Sequence, residues 1–342
     1  MNHLTTKIFS DKQKLEIKKQ IFKKSYINHK DLDSKKDKII LVTDFDYTLF
    51  NKYNYSTGEK YDGSFGMYNQ DVFGGDQKNF LQKRKNLYNT YIKYEEDFTI
   101  DEKTKKEKLI EWSVRQMEDM LHPNFTRDSI RKMVEMKNDK RQIYLKKNIG
   151  KFYEKLIELN IPIIIVSAGV KEIIIDFLEL LNIKGLDDYI KNKKILFVAN
   201  EFVFDGNGKC INFNRNIIHG YNKSEYVKKL VDEYFPNIEN AFVLGDLCTD
   251  YKSIEKLNLN KDKNIIGIGF IYYTPDDLKN KDFNYENNKQ INEYKKIYDV
   301  NLLMEEGYDF PLELLSIFDN YSNIIIYNQN INFFQINFEI NS

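Results

Sequence analysis

Four short stretches carry residues whose types could do chemistry together. They are Asp44-Phe45-Asp46-Tyr47-Thr48, Ser167-Ala168-Gly169, Lys223 at the start of a helix, and Gly245-Asp246-Leu247-Cys248-Thr249-Asp250. The set amounts to four carboxylates, one hydroxyl on a small-residue turn and one ammonium. Asp44 and Asp46 stand two apart, so on an extended backbone their side chains point the same way. Clustered carboxylates repel unless a cation sits among them, and an oxygen-only set without His or Cys selects Mg²⁺. A serine and a lysine beside such a cation imply an anionic substrate, a phosphate foremost. Singly, each piece reads as a turn, a helix cap or a solvated lysine. Their joint order, each directly after a buried strand, carries the argument.

The elements that must position them follow from the apolar pattern. Ile39–Thr43 is a β-branched run bounded by charges and too short for a helix, so it reads as a buried strand. Beyond Gly150, strand and helix alternate. Strands are expected at 162–166, 195–198, 241–244 and 265–268, helices at 149–159, 170–181, 224–235 and near 251–257, and a hairpin across Asp205–Gly208. Near-continuous apolar strands alternating with helices mean a parallel sheet covered on both faces, whose ligands collect outside the carboxyl ends of the strands. Between the first strand and this pattern, residues 76–147 repeat apolar side chains at helical spacing only. The fold class expected is therefore α/β: a Rossmann-like parallel-sheet core, 38–52 and 148–318, with a helical cap, 53–147, inserted after the first strand. Residues 1–37 read as a polar extension bearing one surface helix around Leu15, Ile17, Ile21 and Phe22. The Asn-rich tail, 319–342, alternates Ile and Phe with Asn and Gln and reads as an edge strand or an extension.

Composition removes several function classes. The 342 residues hold 52 Lys+Arg against 52 Asp+Glu, which lacks the basic surplus of a nucleic-acid binder. Two cysteines, Cys210 and Cys248, make neither a disulfide framework nor a zinc site. No apolar stretch is long enough for a membrane span, and the first residues lack a secretory apolar core. A cytoplasmic monomer with a small-molecule substrate, no nucleic acid and no membrane is the expectation.

The order DFDYT, SAG, Lys223, GDLCTD resembles the haloacid dehalogenase superfamily of phosphatases. The stretches Glu107–Trp112, Ile161–Gly169, Phe197–Gly208 and Ile217–Glu225 narrow this. They resemble the cytosolic pyrimidine 5′-nucleotidases, a family that includes 7-methylguanosine-phosphate-specific enzymes. The resemblance covers roughly residues 37–318 and implies hydrolysis of a nucleoside 5′-monophosphate. Asp44 would be the nucleophile, forming an aspartyl-phosphate, and Asp46 the general acid and then base. Mg²⁺ would be held by Asp44, the Asp46 carbonyl, Asp246 and Asp250. Ser167 and the Ala168 amide would cradle the phosphate, and Lys223 would neutralise it. Glu95 precedes Trp112 by 17 residues, the family's spacing for its base-recognising carboxylate, which suits an exocyclic amine. Phe65 would stack on the base.

Two departures bear on the substrate. Gln116 and Met117 stand where the family tends to carry Ser and His near the base, which puts Gln116 at the base end. Leu247 and Thr249 replace Ser and Gly of the fourth motif, while its carboxylates remain. Another small phosphomonoester, phosphoserine-like, or phosphoryl transfer to a second nucleoside stays open as an alternative. Cys248 reads as filler, with no His or cation evident to activate it.

Overall fold

The β-branched runs bounded by charges become neighbouring strands of one sheet. The computed structural model describes residues 8–30, 38–97, 99–139, 144–280 and 288–321. Its strands are β1 (Ile8–Phe9), β2 (Ile39–Thr43), β3 (Ile163–Val170), β4 (Ile195–Asn200), β5 (Phe202–Phe204), β6 (Cys210–Phe213), β7 (Asn240–Gly245), β8 (Ile265–Ile271) and β9 (Val300–Leu303). Seven of them form one sheet in the order β1-β9-β8-β7-β2-β3-β4, and β5 pairs with β6 in a separate hairpin. Within the seven-stranded sheet only β1 runs antiparallel to its neighbour. Alternate residues serve opposite faces: Ile39 and Leu41 join one apolar cluster, Ile40 and Val42 the other. A strand buried on both sides must read as continuous Ile, Leu and Val, and β2 does.

Register sets the chemistry. Thr43 lies level with Ile165 of β3 and Leu244 of β7. The residues just beyond, Asp44, Ser167 and Asp246, therefore emerge side by side at one edge of the sheet. The α/β architecture expected from the sequence is present, with two refinements. β3 runs on through Ser167–Gly169, expected as a turn, with a register shift between Val166 and Val170. β9 and β1 extend the sheet on the far side.

The helices up to the site's lysine are α1 (Lys12–Lys30), α2 (Gln77–Glu96), α3 (Glu102–Met120), α4 (Arg127–Asp139), α5 (Ile149–Glu158), α6 (Lys171–Leu180), α7 (Leu186–Lys191) and α8 (Lys223–Tyr234), and shorter ones follow. Between β2 and α5 the chain forms α2, α3 and α4, opened by two 3₁₀ turns. Asp76 and Asp101 cap α2 and α3 by accepting from Asn79 N–H (3.0 Å) and Thr104 N–H (2.9 Å). α4 is fastened to α6: Arg127 makes a two-pronged ion pair with buried Asp176, and Arg131 reaches Glu179 at 2.6 Å. The β5–β6 hairpin adds backbone bonds, Arg127 N–H to Gly208 O and Cys210 N–H to Phe125 O, both 2.8 Å.

The N-terminal segment differs from expectation. A helix forms there, but residues 8–9 join the sheet as β1 and α1 packs on the sheet instead of extending from it. Leu15 and Phe22 of α1 are buried, and the Phe22 ring packs 4.9 Å from that of Phe242. Lys18 is buried too, because it meets Asp299 at 2.6 Å. Residues 31–37 of the expected polar extension and the expected tail beyond 321 lie outside the described residues. No helix among the described residues is long and apolar enough to cross a membrane.

Candidate active site

Asp44 leaves β2 with its N–H bonded to Leu244 O of β7 (2.9 Å), which seats it at the middle of the sheet edge. Gly245 then allows the loop after β7 to fold back. A Cβ there would stand 2.3 Å from the Asp250 Cβ, so only glycine lets Asp250 approach. The Asp250 carboxylate accepts from Leu247 N–H (2.9 Å), while the carbonyls of Asp246 and Leu247 take the hydroxyls of Tyr294 and Tyr298. The result is a buried group of three carboxylates, Asp44, Asp246 and Asp250, with ligand atoms all within 4.8 Å of one another. Lys223, first residue of α8, sends its ammonium 2.7 Å from both Asp44 Oδ1 and Asp250 Oδ1. Lys52 approaches Asp246 Oδ2 at 3.9 Å.

The electrostatics are those of an over-acidic pocket. Burial first, then Asp250, Asp246 and Asp46, raise the Asp44 pKa well above the carboxylate range against the pull of Lys223. Burial and Asp250 push Asp246 up to about 7, with Lys52 and Lys223 opposing. Burial would lower the Lys223 pKa, but Asp250 and Asp44 hold it above its ordinary value. Three buried carboxylates in a set without nitrogen or sulfur donors fit a hard divalent cation, which would discharge this excess.

Asp46 turns away from the trio. Its oxygens accept from Ser64 N–H and Ser64 Oγ, each at 2.6 Å. Tyr47 makes the turn with φ 57°, the left-handed region, and donates its hydroxyl to Tyr61 O (3.2 Å). Tyr272 donates to Tyr47 O (2.6 Å) and Phe50 O (3.2 Å), and Tyr308 to Thr48 O (3.1 Å), so the loop beyond Asp46 hangs from tyrosines of the core. Thr48 lies 3.5 Å from Asp44 Oδ2 beneath the loop.

On the other flank, Ser167 is buried and accepts from Gly169 N–H at 2.9 Å. Gly169 packs so tightly on Ser64 that a Cβ would fall 2.0 Å from its Oγ. Asn200, at the end of β4, donates to Ala168 O (2.6 Å) and Ile218 O (3.1 Å) and accepts from Ile218 N–H (2.9 Å). One buried amide thus ties the Ser167-Ala168 segment to the loop that delivers Lys223.

Asp44, Asp46, Ser167, Asp246 and Asp250 from the strand ends and Lys223 from the start of α8 lie at this one edge of the sheet, with Ala168 beside Ser167. Glu95, Gln116 and Phe65 belong to a second layer. Glu95 is exposed in the last turn of α2, where its charge helps raise the Tyr221 pKa behind burial and Glu102. Gln116 is half-buried on α3, and Phe65 is half-buried on a 3₁₀ turn packed against the core. Sequence reasoning missed Ser64, Asn200 and Arg84. Arg84 is a half-buried cation on the inward face of α2, its pKa lowered by burial while Asp62, Tyr47 and Asp46 pull it back up. Its one signal is a charge between buried Phe80 and Tyr91 at helical spacing. Burial pushes the Cys248 thiol up to about 12, which leaves it inert.

Comparison with known proteins places this geometry. The chain is 25% identical to the 7-methylguanosine phosphate-specific 5′-nucleotidase A of Xenopus laevis, over 80% of its own length and 85% of the relative's. It is also 25% identical to the 7-methylguanosine phosphate-specific 5′-nucleotidase of Drosophila melanogaster, over 83% and 81% of the two chains. A crystal structure of cytosolic 5′-nucleotidase IIIB bound to cytidine superposes with a TM-score of 0.71 at 21% identity, covering 95% of this chain and 96% of that one, and so shares its fold. The family model described as pyrimidine 5′-nucleotidase (UMPH-1) matches residues 47–318, most of the chain. The chain belongs to that enzyme family.

Proposed function

We propose that this protein is a Mg²⁺-dependent 5′-nucleotidase. It hydrolyses nucleoside 5′-monophosphates, either pyrimidine nucleotides such as CMP and UMP or 7-methyl-GMP, to nucleoside and phosphate through an aspartyl-phosphate. The observation that carries this reading is the buried trio Asp44, Asp246 and Asp250 with the Lys223 ammonium 2.7 Å from two of its members. Asp44, the Asp46 carbonyl, Asp246 and Asp250 would hold Mg²⁺, which when bound supplies charge neutralisation for carboxylates and phosphate alike.

The chain's own groups divide the work. Lys223 binds Asp44 Oδ1, orients the nucleophile and offers its charge to the incoming phosphate. Ser167 and the Ala168 amide hold phosphate oxygens at the neighbouring strand end. An Asp44 oxygen forms a bond to phosphorus as the bond to the nucleoside 5′-oxygen breaks, and Asp46 gives that oxygen a proton. Asp46 then takes a proton from water, whose oxygen attacks phosphorus and returns Asp44 to its carboxylate. The two bonds from Ser64 keep Asp46 aimed through both steps. Residues 53–147 act as the cap that closes over this edge and excludes water. On it, Glu95 accepts from amino or imino groups of the base, and Gln116 and Phe65 are the further base-binding candidates.

The test is phosphate release with Mg²⁺ from CMP, UMP, 7-methyl-GMP, GMP, AMP and phosphoserine, with Asp44→Asn as blank. Release from CMP or 7-methyl-GMP that vanishes in the blank supports the reading. Release from phosphoserine alone keeps the chemistry and discards the nucleotidase.

A further inference from the structure

Lys146 lies where the chain returns from the helical insertion to the core. The outgoing crossing at 49–51 and the returning one at 144–146 run side by side: Lys146 N–H donates to Leu49 O (3.1 Å), Asn51 N–H to Tyr144 O (2.7 Å), and Phe50 pairs with Leu145. The Lys146 side chain is buried beneath them, 1% exposed. Its Nζ donates to Asn51 Oδ1 (3.3 Å) on the outgoing crossing, and to Glu306 O (3.2 Å) and Met304 O (3.4 Å) beyond β9. It also stands over the rings of Phe270 (4.4 Å) and Tyr272 (4.9 Å) on and just after β8.

All three acceptors are neutral, and burial lowers the Lys146 pKa to about 7 against the upward pull of Asp246, Glu306 and Glu305, so the location tolerates an ammonium without favouring it. Methionine or leucine would fill the space without that cost. What lysine adds is reach in several directions. It joins both crossings to the 304–306 loop, and the ring it stands on belongs to Tyr272, whose hydroxyl holds Tyr47 O and Phe50 O directly behind Asp46.

We propose that Lys146 is a positioning residue for phosphoryl transfer: it pins the two crossings to the core so that the loop Asp44–Phe50 holds Asp46 within reach of the leaving oxygen. The proposal rests on the role given to Asp46 above.

The experiment compares Lys146→Met and Asn51→Ala with the parent protein on CMP or 7-methyl-GMP and on p-nitrophenyl phosphate, whose leaving group needs no proton. In both variants kcat/KM for the nucleotide should fall about tenfold or more, part of the 10²–10⁴ that a positioned acid contributes. With p-nitrophenyl phosphate it should stay within about threefold, and melting should remain that of the parent. Equal losses on both substrates, or losses that track a lowered melting temperature, would make Lys146 a fold residue and overturn the proposal. Should Lys146→Met not fold, Asn51→Ala, which keeps the lysine and removes only its partner on the outgoing crossing, decides the matter by the same ratio. A parent protein inactive on every nucleotide overturns the nucleotidase reading and this role with it. An active parent matched by both variants overturns this role alone.

Discussion

Replacing Asp246 by Asn should make the metal-free protein more stable and the metal-loaded protein less so. Two unit charges 4.8 Å apart, the outer limit within the trio, repel by about 3 kcal/mol at an effective dielectric constant of 20. Lys223 compensates Asp44 and Asp250 at 2.7 Å, whereas the direct ion pair of Asp246 is with Lys52, longer at 3.9 Å and partly exposed, with Lys223 helping from farther away. Asp246 thus has the weakest direct ion pair of the three, and its pKa of about 7 already relieves some of the repulsion. Asn keeps the volume and leaves the backbone bond from Tyr294 in place. A net gain of about 1–2 kcal/mol in EDTA follows, which at roughly 2–4 °C per kcal/mol raises the melting temperature by a few degrees. Mg²⁺ at a hundred times its dissociation constant should stabilise the parent by about 2.7 kcal/mol, and Asp246→Asn should forfeit most of that. The assay is thermal melting of both proteins in EDTA and across a Mg²⁺ titration. The order of stability should invert as Mg²⁺ is added. A variant less stable than the parent in EDTA, or one with the parent's full Mg²⁺ shift, would refute the reasoning.

Four further outcomes are expected. Ser64→Ala removes a charge-assisted hydrogen bond of about 1.5–3 kcal/mol from Asp46, so kcat/KM should fall by about 10–100-fold with an unchanged circular dichroism spectrum. Gly169→Ala, which drives a Cβ into Ser64 Oγ, should reproduce that kinetic loss. Glu172 has one buried oxygen without a partner, and burial raises its pKa to about 7. Because the folded pKa lies above the unfolded value, stability should fall as pH rises from about 4.5 to 7 and level off above; Glu172→Gln should flatten that slope in urea unfolding series. Phe22→Ala on α1 should cost about 3–5 kcal/mol, read from urea unfolding, while activity at low temperature persists. A loss within about 0.5 kcal/mol would return α1 to the surface.

How far the sequence reaches can be judged residue by residue. The apolar runs place β2, β3, β4, β7 and β8 because burial on both faces demands unbroken Ile, Leu and Val, and residues just past such runs must meet at one edge. Asp44, Ser167 and Asp246 were legible for that reason. α1 reads as a surface helix because the face it buries contains Lys18, and only the distant partner Asp299 makes that lysine compatible with the core. β1 and β9 are short, and β9 carries a buried Asn301, so neither shows an apolar run. Ser64, Arg84, Lys146 and Asn200 are single polar residues in unremarkable local sequence. Their roles arise from contacts such as Lys146 with Glu306, which no local pattern encodes. The base end is the least legible part, since acidic residues crowd the end of α2 and several aromatics compete with Phe65.

The central claim is that Asp44 carries the phosphoryl group between nucleotide and water. Single-turnover mixing of the protein with Mg²⁺ and 7-methyl-GMP or CMP, followed by an acid quench and peptide mass spectrometry, tests it directly. The expected result is a transient phosphoryl adduct on the peptide holding Asp44, appearing with the nucleoside and decaying as free phosphate forms, and absent in Asp44→Asn. Nucleoside release with no adduct on that peptide, or an Asp44→Asn variant that still turns over, would contradict the account.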